Sequence, residues 1–244
     1  MFEDWAMIPL AVAAPPVDMQ ALMRMLQSTC DGCHFQDGRV RFTLFHARKP
    51  VVDGRVLLHC CDPRFVFNVP GLDYDWDPAF AAQSPELVAW FEGFPFTTLE
   101  VVTFLVQTAE VPLHLDLFGG ASAVQTYEAY RQFEPMYCHV LFAEPVEQDS
   151  RTSSLYVQRH PQDERRYVRL PDGVTSFALA ATTCYHAADY NPGRFKATAA
   201  VSGTLDHQRH TRLLGSSLER YATHAIRLAE PGPVSDAGAS AVYQ

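Results

Sequence analysis

The sequence predicts a mainly β domain of barrel or jelly-roll type with flanking helices. Three observations carry this prediction. Short strand-like runs separated by turn residues fill residues 97–206. The 244 residues include 16 Phe and 10 Tyr, which pack well on pleated surfaces. Strands at such close spacing fit a barrel or jelly roll better than βαβ units, which need long helical crossovers.

The apolar stretch Met7 to Pro16 follows Glu3 and Asp4 and holds three prolines. It lacks a basic start and is not read as a signal peptide. Met19, Leu22, Met23 and Leu26 repeat at helical spacing after Asp18, a candidate N-cap, which predicts a helix over 19–29. Strand patterns follow at Arg39–His46, Val56–Cys60 and Arg64–Val69, the last before Pro70-Gly71. Residues 71–82 read as a loop. Ser84-Pro85 then opens a short helix that ends near Gly93.

Thr98–Gln107 is a β-branched strand run, and Leu113–Phe118 is a shorter one ending at Gly119-Gly120. Further strands are predicted at Met136–Ala143, at Ser154–Gln158 paired with Arg166–Leu170, and at the buried run Phe177–Tyr185. A turn over Ala187–Gly193 leads to the alternating strand Phe195–Leu205. Residues 208–229 read as a closing helix, with Leu213, Leu214, Leu218, Tyr221 and Ile226 along one side. The predicted organisation is one domain: N-terminal helices and supporting strands (1–96), a β core (97–206), the closing helix (207–229) and a flexible tail (230–244).

An apolar fraction of 48% and a charged fraction of 19% fit a globular protein with a real core. The net charge is −9, and acidic residues flank the densest basic spot, Arg165, Arg166 and Arg169, which argues against a nucleic-acid face. No apolar run approaches the roughly 18 residues of a membrane helix, so a soluble cytoplasmic protein is expected. The six cysteines read as free thiols there. Cys30-Asp31-Gly32-Cys33-His34 matches a haem-attachment spacing, but attachment needs export, and a zinc set with His59, Cys60 and Cys61 has no diagnostic spacing. These residues are read as buried thiols or turn residues, and His207, His210 and His224 as surface groups.

The most informative tripeptide is His114-Leu115-Asp116. On a strand, residues i and i+2 share a face, so one imidazole and one carboxylate project together. His186, at the end of the apolar run, is the natural third ligand. Two His and one carboxylate on one side of a metal leave positions for a co-substrate and dioxygen (O2), a pattern suited to Fe(II). Arg194, Lys196 and Thr198 then share one strand face by parity. A guanidinium grips a carboxylate bidentately, and a nearby hydroxyl can bond the same group.

With these residues in place, the chain resembles the Fe(II)/2-oxoglutarate-dependent oxygenase superfamily over residues 97–206. The resemblance implies a double-stranded β-helix, iron held by His114, Asp116 and His186, and 2-oxoglutarate held by Arg194 with Thr198. Lys196 falls at a more common distance from the second histidine and is the alternative anchor. Tyr137 and His139 are candidates for a further hydrogen bond to the co-substrate, and Arg131 for a contact to co-substrate or substrate. Asp116 argues against halogenation, which needs that ligand position vacant, and leaves hydroxylation as the implied default, with desaturation and cyclisation open. The expected substrate is a free small molecule, with an amino-acid-like metabolite as a family-level guess and a protein or peptide side chain left open. Two other classes stay open: a cupin-type metal enzyme without 2-oxoglutarate, and a non-catalytic ligand-binding or interaction barrel.

Overall fold

A computed structural model of the chain describes residues 4–18, 21–22, 33–35, 39–47, 51–52, 55–56, 74–115, 137–143, 155–181, 183–190 and 196–228. Its strands are β1 (Trp5–Pro9), β2 (Cys33–Phe35), β3 (Arg39–Ala47), β4 (Val51–Val52), β5 (Arg55–Val56), β6 (Tyr74–Trp76), β7 (Phe96–Gln107) and β8 (Val111–His114). They continue with β9 (Tyr137–Ala143), β10 (Leu155–Gln158), β11 (Arg166–Tyr167), β12 (Ser176–Leu179), β13 (Tyr185–Ala188), β14 (Lys196–Leu205) and β15 (Ile226–Arg227). Three helices span Pro78–Gln83, Pro85–Glu92 and His207–Tyr221 among the described residues. The protein is therefore mainly sheet with a few helices.

Among the described residues the large sheet has the order β15-β1-β12-β9-β14-β7-β3-β2, with β6 also on β3. The small sheet has the order β11-β10-β13-β8, and β4 and β5 form a separate ribbon. From β7 onward the chain shuttles between the two sheets. β7, β9, β12 and β14 enter the large one, and β8, β10, β11 and β13 the small one. The expected pairing of the strands near 154–158 and 166–170 is present, as β10 against β11.

Register assigns the faces, because residues directly opposite on antiparallel strands share a side. Met7 pairs with Leu179, Phe177 with His139, Ala200 with His139, and Thr198 with both Leu141 and Leu105. Met7, Phe177 and Leu179 pack with Val157 of β10, so this face of the large sheet looks onto the small sheet. The other face carries Ile8, Ala178, Ala199, Val201, Val102 and Phe104, which bury against the helices through Phe80, Phe91 and Leu214. Both faces of β7 are covered, with Phe104 on one and Leu105 on the other. That fits the run Val101–Val106, in which Thr103 is the one polar residue.

Several elements differ from the expectations. Residues 71–82 are not a loop: β6 and the Pro78–Gln83 helix lie there. Asp77 caps that helix by accepting from the Phe80 amide at 2.8 Å, and Pro78 sits at its start. The run Phe177–Tyr185 is not one strand. The amides of Thr183 and Cys184 donate to the Ala180 carbonyl at 3.1 and 2.9 Å, and the turn splits the run into β12 and β13, in different sheets. Ala187 and Ala188, expected in a turn, complete β13. β11 stops at Tyr167, short of Leu170. The last helix ends at Tyr221, and Ile226 belongs to β15 against β1 rather than to a helical stripe. Asp18 does accept from the Ala21 amide at 3.2 Å, as an N-cap would, but most of the 19–29 helix lies outside the described residues. So do the strand at Arg64–Val69, most of Val56–Cys60 and the tail. None of the described helices is long and apolar enough to cross a membrane.

Phe91 anchors the helical side. It is fully buried and meets Trp76, Trp90, Phe94 and Phe104 at ring separations of 5.9, 5.0, 6.5 and 6.3 Å. Phe91→Ala is expected to lower stability by about 3–5 kcal/mol, and Asp77→Ala by about 1 kcal/mol, in urea titrations of the parent and both variants. A loss under about 1 kcal/mol in Phe91→Ala would mean that this cluster is not the core of the helical layer.

Candidate functional site

The two histidines singled out by the sequence meet across the small sheet. His114 closes β8 and lies directly opposite His186 of β13. Their rings are 4.3 Å apart between centroids and inclined by 51°. His186 is 5% exposed, and Val157 lies opposite it on its other side, in β10. The pair therefore sits on the face of the small sheet that looks toward the large one.

Both rings are oriented in the same way. His114 Nδ1 donates to the Pro112 carbonyl at 2.7 Å, and His186 Nδ1 donates to the Cys184 carbonyl at 3.1 Å. A carbonyl oxygen only accepts, so in the neutral rings the proton sits on Nδ1 and the lone pair on Nε2. Holding Nδ1–H on a backbone carbonyl is the usual way in which a metal-binding imidazole is aimed and kept in the right tautomer. As a donor set, the pair fits a divalent first-row metal.

β8 reaches this arrangement through a bulge. Val111 pairs with Ala188 and His114 with His186, so β8 uses one residue more than β13 between the two pairs. The strand also starts earlier than predicted, at Val111, and among the described residues it ends at His114. Asp116, Arg131 and Arg194 lie outside the described residues. Among the described residues no three His, Cys, Asp or Glu gather as a metal set.

The remaining candidates fall on the large sheet. Lys196 opens β14, and Thr198, half-buried, follows on the same face. Tyr137 and His139 of β9 pair with Leu179 and Phe177. By register all four positions belong to the face that meets the small sheet.

Gln107, to which no sequence motif points, joins the two sheets. Its Nε2 donates to the carbonyls of Ala188 and Asp189, 3.0 Å each. That ties the end of β7 to the end of β13, two residues past His186; no local pattern reveals it, because it depends on which strands cross. Of the basic spot, Arg165 is taken up on the far face of the small sheet. Arg165 pairs with Asp189 at 3.2 Å and lies 4.4 Å over the Tyr156 ring, while Tyr167 donates to Asp189 at 2.7 Å. Burial pushes the Tyr156 phenol above its ordinary range, and the Arg165 charge opposes that shift. His210 is not a surface group as predicted. It is 8% exposed in the last helix, where burial and then the neighbouring His207 lower its pKa.

Among known proteins, no family model and no curated protein matches the chain. Among solved structures it is similar to an oxidoreductase of the 2OG-Fe(II) oxygenase family from Burkholderia pseudomallei, with a TM-score of 0.44 and 9% identity over 84% of this chain and 90% of that one. It is also similar to IDO from Bacillus thuringiensis, with a TM-score of 0.41 and 8% identity over 84% and 92% of the two chains. Likeness at that level is too weak to assign a function, which rests instead on the chain's own strands and side chains.

Cys184, whose carbonyl orients His186, has a buried thiol, and burial pushes its pKa up to about 12. Its Sγ lies 3.4 Å from the Gln158 carbonyl, to which it donates. The unfolded thiol ionises near its ordinary value while the folded one keeps its proton. The stabilising contribution is therefore fully present below about pH 9 and is lost as pH climbs toward about 12, by up to about 1.4 kcal/mol per pH unit. Cys184→Ala is expected to flatten this slope in urea titrations between pH 8 and about 10.5. Equal slopes in parent and variant would show that the thiol ionises freely in the folded protein.

Proposed function

We propose that this protein is a non-haem Fe(II)- and 2-oxoglutarate-dependent oxygenase that hydroxylates a C–H bond of a small molecule. The cross-strand pair of His114 and His186, with both rings held by Nδ1 on a backbone carbonyl, carries the proposal. The shuttling of β7 to β14 between two facing sheets supports reading those eight strands as a double-stranded β-helix.

In this reading Asp116 would complete the ligand set with His114 and His186. Bound iron would supply dioxygen activation coupled to the decarboxylation of 2-oxoglutarate to succinate and carbon dioxide, with one oxygen atom passing to the substrate. The chain's own residues do the positioning. Arg194 grips the far carboxylate of 2-oxoglutarate through its planar fork, and Thr198 bonds the same group. Lys196, Tyr137 and His139 share the sheet face beside it, and Arg131 contacts the substrate. Val157, Phe177 and Leu179 pack into the apolar layer between the sheets, which excludes bulk water and strengthens every charge interaction near it.

A cupin-type metal enzyme without 2-oxoglutarate is the second reading, and His139 favours it, because its register position on the inner face would suit a third imidazole.

Anaerobic addition of Fe(II) and 2-oxoglutarate is expected to produce a weak visible charge-transfer band. Asp116→Ala and His186→Ala should abolish it, and Arg194→Ala should weaken it by raising the 2-oxoglutarate concentration needed. Metal binding without the band, lost in His139→Ala, would replace this proposal with the cupin reading. Absence of any metal binding would leave a non-catalytic binding module.

A further inference from the structure

The bulge in β8 settles which residue faces His186. We infer that Pro112 is a register-setting and positioning residue: it holds the bulge that turns His114, rather than Leu113, toward His186, and its carbonyl fixes the tautomer of the His114 ring. The inference goes beyond the proposed ligand set and rests on it only where metal affinity is the readout.

A regular β8 would pair differently. With Val111 kept opposite Ala188 and no bulge, position 112 would face Ala187, Leu113 would face His186, and His114 would pass to the opposite side, facing Tyr185. A slip of one residue sends each side chain to the other face of the sheet. That alternative buries a leucine in an apolar layer and exposes an imidazole, so hydrophobicity alone favours it. Something in β8 must oppose it.

Pro112 meets this need in two ways. A proline lacks the N–H that a regular ladder uses, so in a sheet it is confined to edges and bulges. β8 is the edge strand of the small sheet among the described residues, and Pro112 stands exposed inside its bulge. Bulges also re-aim side chains near functional sites. Here the irregular backbone brings the Pro112 carbonyl to 2.7 Å from His114 Nδ1. The bulge is why Val111 and His114, three residues apart, pair with Ala188 and His186, only two apart.

Pro112→Val tests this. Valine restores the N–H and prefers a regular strand. Nitrogen NMR of the metal-free parent should show His114 locked with its proton on Nδ1. In Pro112→Val the His114 signal should become a solvent-exposed mixture of tautomers, and affinity for Fe(II) should fall roughly 10–100-fold, as when a partner of a ligand is lost. Deletion of Pro112 removes the extra residue itself and leaves equal spans between the two pairs. It is expected to keep His114 opposite His186 and to bind Fe(II) more tightly than Pro112→Val does. The inference is overturned if Pro112→Val keeps the parental His114 tautomer, or if the deletion binds metal more weakly than the substitution. Should Pro112→Val not fold, Pro112→Ala puts the same question with a smaller side chain. A parent that binds no metal but shows the locked tautomer would sink the iron assignment and leave the role of Pro112 intact.

Discussion

Val157 is fully buried between the two sheets, in one cluster with Met7, Phe177 and Leu179. Removing side chains of this size from water is worth about 1.5–3 kcal/mol each, so the layer strongly resists inversion. Because strand side chains alternate, fixing Val157 inward fixes its direct partner His186 on the same side. The ladder then carries that choice to His114. The facing of both imidazoles is thus decided by an apolar residue of a neighbouring strand. The second decision, which residue of β8 stands opposite His186, is left to the bulge.

The large sheet divides its two faces between two partners. Its outer side is buried by helices around Phe80, Phe91 and Leu214, and its inner side by the small sheet. The helical layer buries the outer face with apolar residues, whereas the inner face is not apolar throughout toward its far end. There register sets Thr198 beside Leu141 and Leu105, where a half-buried hydroxyl interrupts the oily surface. Gln107 then spans the two sheets at the end where β7 leaves for β8, holding the carbonyls of Ala188 and Asp189. A scaffold built this way keeps β13 anchored on both sides of His186, by β10 and by the end of β7.

How much of this is legible in the sequence depends on how far each signal reaches along the chain. β7 and β14 are readable because their β-branched and alternating runs are long, and the Pro85–Glu92 helix because Ser84-Pro85 announces it. Asp77-Pro78 carries the same signal, but the helix behind it is barely two turns long and shows no stripe of its own. The break between β12 and β13 is hidden for a different reason. Its turn, centred on Ala180 to Cys184, contains neither Gly nor Pro, and both flanking strands are buried, so the apolar run reads straight through. His210 resembles a surface residue because its side chain is polar, although helical spacing puts it on the same face as Leu214 and Ser217, which are also buried. At the site, His114 and His186 are picked out in the sequence by the His-x-Asp spacing and by the end of an apolar run. Their direct opposition and the shared Nδ1 geometry are not, because both depend on long-range register and on a bulge that parity counting ignores.

Under the proposed assignment, the tautomers also bear on which third ligand a metal would need. Two neutral imidazoles bring lone pairs but no charge, so a divalent ion held by them alone would keep its full charge beside an apolar layer. Uncompensated charge in such surroundings costs many kcal/mol. A carboxylate removes one unit, which is what Asp116 contributes under the proposed assignment. The remaining positive unit is more than offset by a dianionic co-substrate, and the surplus negative charge lies at its far carboxylate. That end therefore needs a cation, and the start of β14, with Lys196 on the inner face and Arg194 just before it, is where the chain has cations to offer. A third histidine in place of the carboxylate would leave the ion with both positive units and would favour a different, more strongly anionic partner. The choice between Asp116 and His139 is accordingly a choice of total charge as much as of ligand geometry, and it separates an enzyme that recruits a diacid from one that does not.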